Sequence, residues 1–146
     1  MPDSNGISSY PAVNDPALVG TYSAGAKAGG GYVWDDVLEY RVWCSPRIGA
    51  QDLDEGNDYY YAFDTYEKAL ECTRDIAGTE SPLALILQNE YIDEPTPGQY
   101  LHKVEKRVTE WPVEFLNRPR RRSDTIPNFF SPDAPSNRLD ILRGLT

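Results

Sequence analysis

Tyr59-Tyr60-Tyr61-Ala62-Phe63-Asp64-Thr65-Tyr66-Glu67-Lys68-Ala69-Leu70-Glu71-Cys72-Thr73-Arg74-Asp75-Ile76-Ala77-Gly78 changes its period part-way, and that change decides the fold class. Tyr59 to Phe63 is an aromatic run suited to a pleated strand. From Tyr66 onward, Tyr66, Ala69, Leu70, Thr73 and Ala77 recur at the spacing of one helix face. Asp64 and Glu67 form a D-x-x-E pattern able to cap the first turn, and Gly78 supplies a left-handed stop. Strand followed directly by amphipathic helix is the local signature of an α+β layer.

Toward the N-terminus, Val37 to Cys44 is rich in β-branched and aromatic residues and stops at Ser45-Pro46, which predicts a strand. The loop from Arg47 to Asp58 carries Asp52, Asp54, Glu55 and Asp58, so a solvated acidic connection is expected between two hairpin strands. Toward the C-terminus, Leu83 to Leu87 is a continuous apolar run that predicts the central strand, continuing through Gln88 to Ile92 toward the sheet edge. Asp93 to Gly98 has the chemistry of a turn. Tyr100 to Glu110 alternates, with Tyr100, His102, Val104, Lys106 and Val108 on one face, and runs on to Trp111-Pro112. The predicted fold class is α+β: a small, mostly antiparallel sheet in β-β-α-β-β order with one main helix on one face.

The chain of 146 residues carries 23 acidic and 14 basic side chains, a net charge of -9, with a mean hydropathy of -0.57. That length suffices for one core. Composition shifts divide it into a flexible N-terminal segment (1–31), a single domain (32–116) and a basic, Pro-rich C-terminal arm (117–146). Met1 to Gly98 holds 17 acids against 5 bases, whereas Gln99 to Thr146 holds 6 against 9, so -12 and +3 compose the total. An acidic balance argues against a general nucleic-acid binder, which needs excess Lys and Arg. No apolar run approaches the roughly 18 residues of a membrane span. The start, Met1 to Gly6, has no basic region and no apolar run, so no signal peptide is expected. Cys44 and Cys72 make no patterned framework and no zinc-ligand set, which points to free thiols in a cytoplasmic protein.

Several residues are candidates for chemistry or binding. Gly20 and Gly25 have phosphate-loop spacing, but Ala26 stands where Lys is required, so a linker is expected. His102, the single histidine, with Cys44 is the candidate catalytic pair, since imidazole can activate a thiol. Trp43, Tyr59 and Tyr61, with Trp34, Tyr40 and Tyr60, concentrate aromatic surface near the first hairpin, suited to core filling or to a partner. Arg118, Arg120, Arg121 and Arg122 around Pro119 form the densest charge run, able to dock on the acidic body or on an acidic partner. Leu139, Ile141 and Leu142 offer the arm an apolar anchor.

The segments Gly31 to Cys44, Tyr59 to Leu70, and Ile92-Asp93-Glu94-Pro95 with Thr109-Glu110-Trp111 resemble short bacterial proteins labelled GNAT-like (N-acetyltransferase-like). The likeness covers residues 28–146 and implies acetyl-CoA as donor and an amine as acceptor. The Q/R-x-x-G-x-G/A loop of that family does not occur in this sequence, so no cofactor-binding residue is carried over. The expected function is a protein-binding or regulatory domain without a cofactor, its partner or second copy engaged through the aromatic hairpin and the C-terminal arm. The alternative is an acetyltransferase using acetyl-CoA at a degenerate site. A third possibility is an acidic mimic of nucleic acid.

Overall fold

A computed structural model of the chain describes residues 10–25, 27–28, 36–119 and 121–145. Its strands are β1 (Lys27–Ala28), β2 (Asp36–Cys44), β3 (Tyr59–Phe63), β4 (Leu83–Gln88), β5 (Tyr91–Thr96), β6 (Gln99–Lys103) and β7 (Arg107–Pro112). The helices are α1 (Tyr66–Asp75), α2 (Thr125–Phe129) and α3 (Arg138–Leu142), with short 3-10 turns at Pro16–Leu18, Pro46–Ile48 and Val113–Asn117. The fold is α+β with one main helix.

The apolar run 83–87 becomes β4 because it lies inside the main sheet. Its order is β1-β7-β4-β2-β3, antiparallel except for the β1–β7 pair. Ala84, Leu85, Ile86 and Gln88 are fully buried there. The strand stops at Gln88 instead of running on to Ile92: the chain bends at Asn89-Glu90, and Tyr91 begins a separate two-stranded sheet of β5 and β6. Asp93 to Thr96, expected as a turn, belongs to β5. The turn is confined to Pro97-Gly98, where Gly98 takes φ +79° and donates its N–H to Glu94 Oε2 at 2.8 Å. The alternating stretch from Tyr100 to Glu110 is likewise two strands, β6 and β7, in different sheets. The break at Val104–Lys106 resets which side faces in, so Thr109 and Trp111 are buried and Val108 is not. Arg107 ties the sheets together, its guanidinium 3.7 Å above the Tyr91 ring and its Nε–H donating to Gln88 Oε1 at 2.9 Å.

Helix α1 is capped by Thr65, whose Oγ1 accepts from Lys68 N–H, while Asp64 pairs with the Lys68 ammonium at 2.9 Å. Ala69 and Cys72 are its buried positions. Ala77 lies beyond its end and is exposed. Gly78 holds φ +77°, and a Cβ there would sit 2.0 Å from Ala50 N, so close approach as well as conformation requires glycine. On this face of the sheet Val37, Tyr40, Val42, Ile86 and Trp111 meet α1 and the arm residues Phe129 and Leu142 in one core.

The opposite face is built on charge. Arg41 and Glu39 are both fully buried, with Nε to Oε2 at 2.7 Å, and Arg41 Nη1 reaches Glu110 Oε2 at 2.9 Å. The remaining guanidinium protons bond Ser23 O at 2.5 Å and Ala24 O at 3.2 Å, and Gly20 N–H donates to Glu39 Oε1 at 2.8 Å. Residues 20–25 are therefore strapped across the sheet by polar bonds. Tyr10 also packs edge-on against Tyr66, and Val13 is buried. The described part of the N-terminal segment thus belongs to the packed body, where its small-residue composition predicts a flexible lead. The core likewise extends past residue 116 to Leu142.

Burial alone would make Arg41 release its proton more easily, but its bonds to Glu39 and Glu110 outweigh this and hold the charge. Arg41→Met should therefore leave Glu39 buried and unpaired, lowering the unfolding free energy by about 3–5 kcal/mol. Urea titration followed by Trp fluorescence measures this. A loss of about 1 kcal/mol or less, the worth of an exposed pair, would refute a dry network.

Candidate functional site

The C-terminal arm is positioned by a clasp at the bend between β4 and β5. Arg121 forks onto Glu90, Nε to Oε1 at 2.6 Å and Nη2 to Oε2 at 2.9 Å, while His102 on β6 meets Glu90 Oε2 at 2.8 Å. A bidentate guanidinium–carboxylate pair fixes orientation as well as distance. The Arg121 bonds, partly opposed by burial and reinforced by His102, hold the Glu90 carboxyl below its ordinary range. Near the arm's other end, Gly144 at φ +75° lies where a Cβ would come within 2.5 Å of the Asn117 carbonyl, so the arm closes back on its own start.

Between these fastenings α2 and α3 enclose a cleft of about 320 Å³. Phe129, Leu142, Ile141, Pro119 and Pro135 make it apolar, and Arg122 and Arg138 bring positive charge to it. Pro119, Pro132 and Pro135 flank two helices of five residues each, with Pro127 in the first turn of α2, and residues of both helices line the hollow. Arg138 stacks 4.9 Å from the Tyr100 ring centroid and 5.2 Å from that of Phe129. Its Nε is buried and has no hydrogen-bond acceptor among the described residues. Arg122, by contrast, is exposed and pairs with Asp124 at 3.2 Å. Thr125, the cleft's hydroxyl, accepts from Arg122 N–H at 2.8 Å.

The residues singled out from sequence are placed in different parts of the fold. Trp43 is an internal brace, its indole N–H donating to Glu110 at 3.0 Å and its ring 4.8 Å from that of Tyr60. Tyr59 and Tyr61 lie on the edge strand β3, ring to ring at 6.0 Å. Arg118 stacks over Trp111 and Arg121 holds Glu90, so this part of the basic run docks on the chain's own body. Arg120, like Trp34, lies outside the described residues.

Cys44 and His102 are not brought together. Cys44 is fully buried on β2, its thiol against Val42 O, and burial and Cys72 both raise its pKa. His102 is on the other sheet and engaged by Glu90. A protonated, enclosed thiol without a base is a poor nucleophile. The glycine stretch that mimics a phosphate loop also has its backbone donor committed, since Gly20 N–H bonds the Glu39 carboxylate. Among the described residues no group of three His, Cys, Asp or Glu is arranged to hold a metal, and no helix is long and apolar enough to cross a membrane.

Comparison with known protein families, with curated proteins and with solved structures returns no match. The cleft's own chemistry therefore carries the functional argument. It joins apolar walls to a guanidinium held in place by two rings, which suits binding an anion-bearing apolar group. Arg138 and Glu90 carry no sequence signal, because each is a single charge in a polar stretch. The proline bracket around α2 and α3 was the available signal for a shaped arm.

Glu90 makes the clasp pH-dependent. A carboxyl whose folded pKa is depressed adds stability above its unfolded value, about 4.3, and that stability is lost as pH falls through the folded pKa. Proteolytic cleavage within 117–124 should rise as pH drops below about 4.3, beyond the change shown by Glu90→Gln, which should be clipped faster at neutral pH. Identical cleavage profiles for the two proteins would show that the clasp does not hold the arm.

Proposed function

We propose that this chain is a non-enzymatic protein-binding domain whose α2–α3 cleft receives a short apolar segment of a partner bearing a carboxylate. The observation that carries the proposal is Arg138. In a protein with 23 acidic residues, this guanidinium is oriented by Tyr100 and Phe129 and makes no ion pair with any described acid. Its position in an apolar cleft lowers the local dielectric, so a carboxylate arriving with an apolar neighbour gains more there than in open water. Phe129 and Leu142 sit on the main core, which makes the cleft floor rigid and keeps the ordering cost of binding small.

The acetyltransferase alternative meets a local obstacle. A CoA pyrophosphate is held by free N–H groups at a helix start. Here the one long described helix, α1, opens between Asp64 and Glu67, and its Lys68 N–H is already taken by Thr65. Both carboxylates would repel phosphate.

Calorimetry separates the two ideas. The peptide acetyl-Leu-Asp-Leu-Phe-amide should bind at submillimolar concentration, its Asn counterpart about tenfold more weakly, a difference near 1.4 kcal/mol. Arg138→Met keeps the apolar stem and should bind both peptides equally. Failure of the wild-type protein to distinguish Asp from Asn would remove Arg138 from the site. Saturable heat with millimolar acetyl-CoA would favour the enzyme instead.

A further inference from the structure

The main sheet ends at β3, and we propose that this edge docks an extended, basic-ended peptide segment of a partner protein, which adds to the sheet as its next strand. β3 pairs with β2 alone, in unbroken register from Tyr40↔Phe63 to Cys44↔Tyr59. On its outer side Tyr59 to Phe63 make no further backbone–backbone hydrogen bond among the described residues. Sheets normally blunt such an edge with lysine, proline or a bulge. Tyr59-Tyr60-Tyr61-Ala62-Phe63 has none of these and is instead a strong strand former.

Charge selects the occupant. Asp58 and Asp64 flank the strand at equal distance from Tyr61. A second copy pairing antiparallel about Tyr61 would place each Asp58 opposite the other copy's Asp64, two like-charge contacts that oppose self-association. The same arrangement welcomes Lys or Arg at both ends of a foreign strand. The internal partners of the two acids are weak competitors: Arg47 lies 3.7 Å from Asp58 and Lys68 2.9 Å from Asp64, and both cations are largely exposed. Asp52, Asp54 and Glu55 in the preceding loop are exposed and extend the negative field along the approach.

Strand alternation then sets the side-chain pattern. Tyr59, Tyr61 and Phe63 share one face of β3, and Tyr60 and Ala62 the other. The fitting segment reads basic, apolar, any, apolar, any, apolar, basic, its apolar positions falling beside Phe63, Tyr61 and Tyr59. Tyr61 is 38% exposed and available, while Tyr59 is fixed by its hydroxyl bond to Gln51 O at 2.6 Å and by its edge contact with Tyr61. Main-chain bonds supply the affinity and the alternating side chains the selectivity. This surface is separate from the α2–α3 cleft, so either one can fail without the other.

The probe is acetyl-Lys-Val-Thr-Val-Thr-Val-Lys-amide titrated into nitrogen-15-labelled protein at low salt. The Tyr59 to Phe63 amide resonances should shift and saturate. A Glu-ended peptide should bind about tenfold more weakly or worse, and a peptide N-methylated at alternate amides should not bind, because its ladder donors are gone. The Asp58→Asn, Asp64→Asn double variant should lose the preference for Lys ends, while Arg138→Met should bind as the wild type does. No shift at millimolar peptide, shifts located away from β3, or equal binding of the N-methylated peptide would each overturn the proposal. A protein that is already dimeric with its β3 amides protected from exchange would assign the edge to a second copy and overturn it as well.

Discussion

The guanidinium of Arg41, buried between Glu39 and Glu110, is the constraint around which the rest of the structure is arranged. A charge without water must be paired, and its remaining protons must find acceptors. Arg41 meets that demand with two carboxylates from the sheet and two carbonyls from residues 20–25. A glycine-bordered segment with almost nothing apolar to bury is thereby fixed to the sheet. Tyr60 and Trp43 close the same site from the side, one under the guanidinium at 4.5 Å, the other bonded to Glu110. One arginine thus sets the position of β2, β7, β3 and the strap together.

The two faces of the sheet are held by different physics. Beneath α1 the core is apolar, non-directional and tolerant of swaps that conserve volume. On the Arg41 face cohesion depends on hydrogen-bond geometry, and it fails when one partner is removed. The arm borrows from both. Phe129 and Leu142 extend the apolar core, whereas Arg121 on Glu90 ties the arm to the bend after β4. The +3 charge of residues 99–146 is therefore partly spent within the molecule, which turns charge asymmetry along the chain into a folded contact.

Much of this fold is legible in the sequence wherever one period persists. β3, α1 and β4 each keep a single pattern through their length, and so the α+β order and the central place of Leu83 to Leu87 can be read directly; β2 is legible from its β-branched and aromatic residues, although its register shifts between Val37 and Glu39. The reading fails where alternation continues across a break. Tyr100, His102, Val104, Lys106 and Val108 look like one strand face, yet the chain leaves one sheet at Lys103 and enters another at Arg107 with the opposite parity. Periodicity carries no mark for that slip. Residues 10–25 are missed for another reason: composition shows what a segment can bury, not which buried acceptor needs its carbonyls. The cleft is half legible, since prolines announce short elements but not the ring pair that seats Arg138.

The described ionisable groups with shifted proton affinity lie outside the α2–α3 cleft. Active sites gather perturbed acids, bases and nucleophiles into one accessible cleft. Here Arg41 is tied to the strap, Arg107 to Tyr91 and Glu90 to Arg121, and both thiols are enclosed by apolar packing. None of them lines the α2–α3 cleft, whose charge comes from Arg122 and Arg138. Arg41, Arg107 and Glu90 hold the scaffold together, and the cleft is left with shape, dipoles and fixed charge. Those are the properties on which the proposed binding rests.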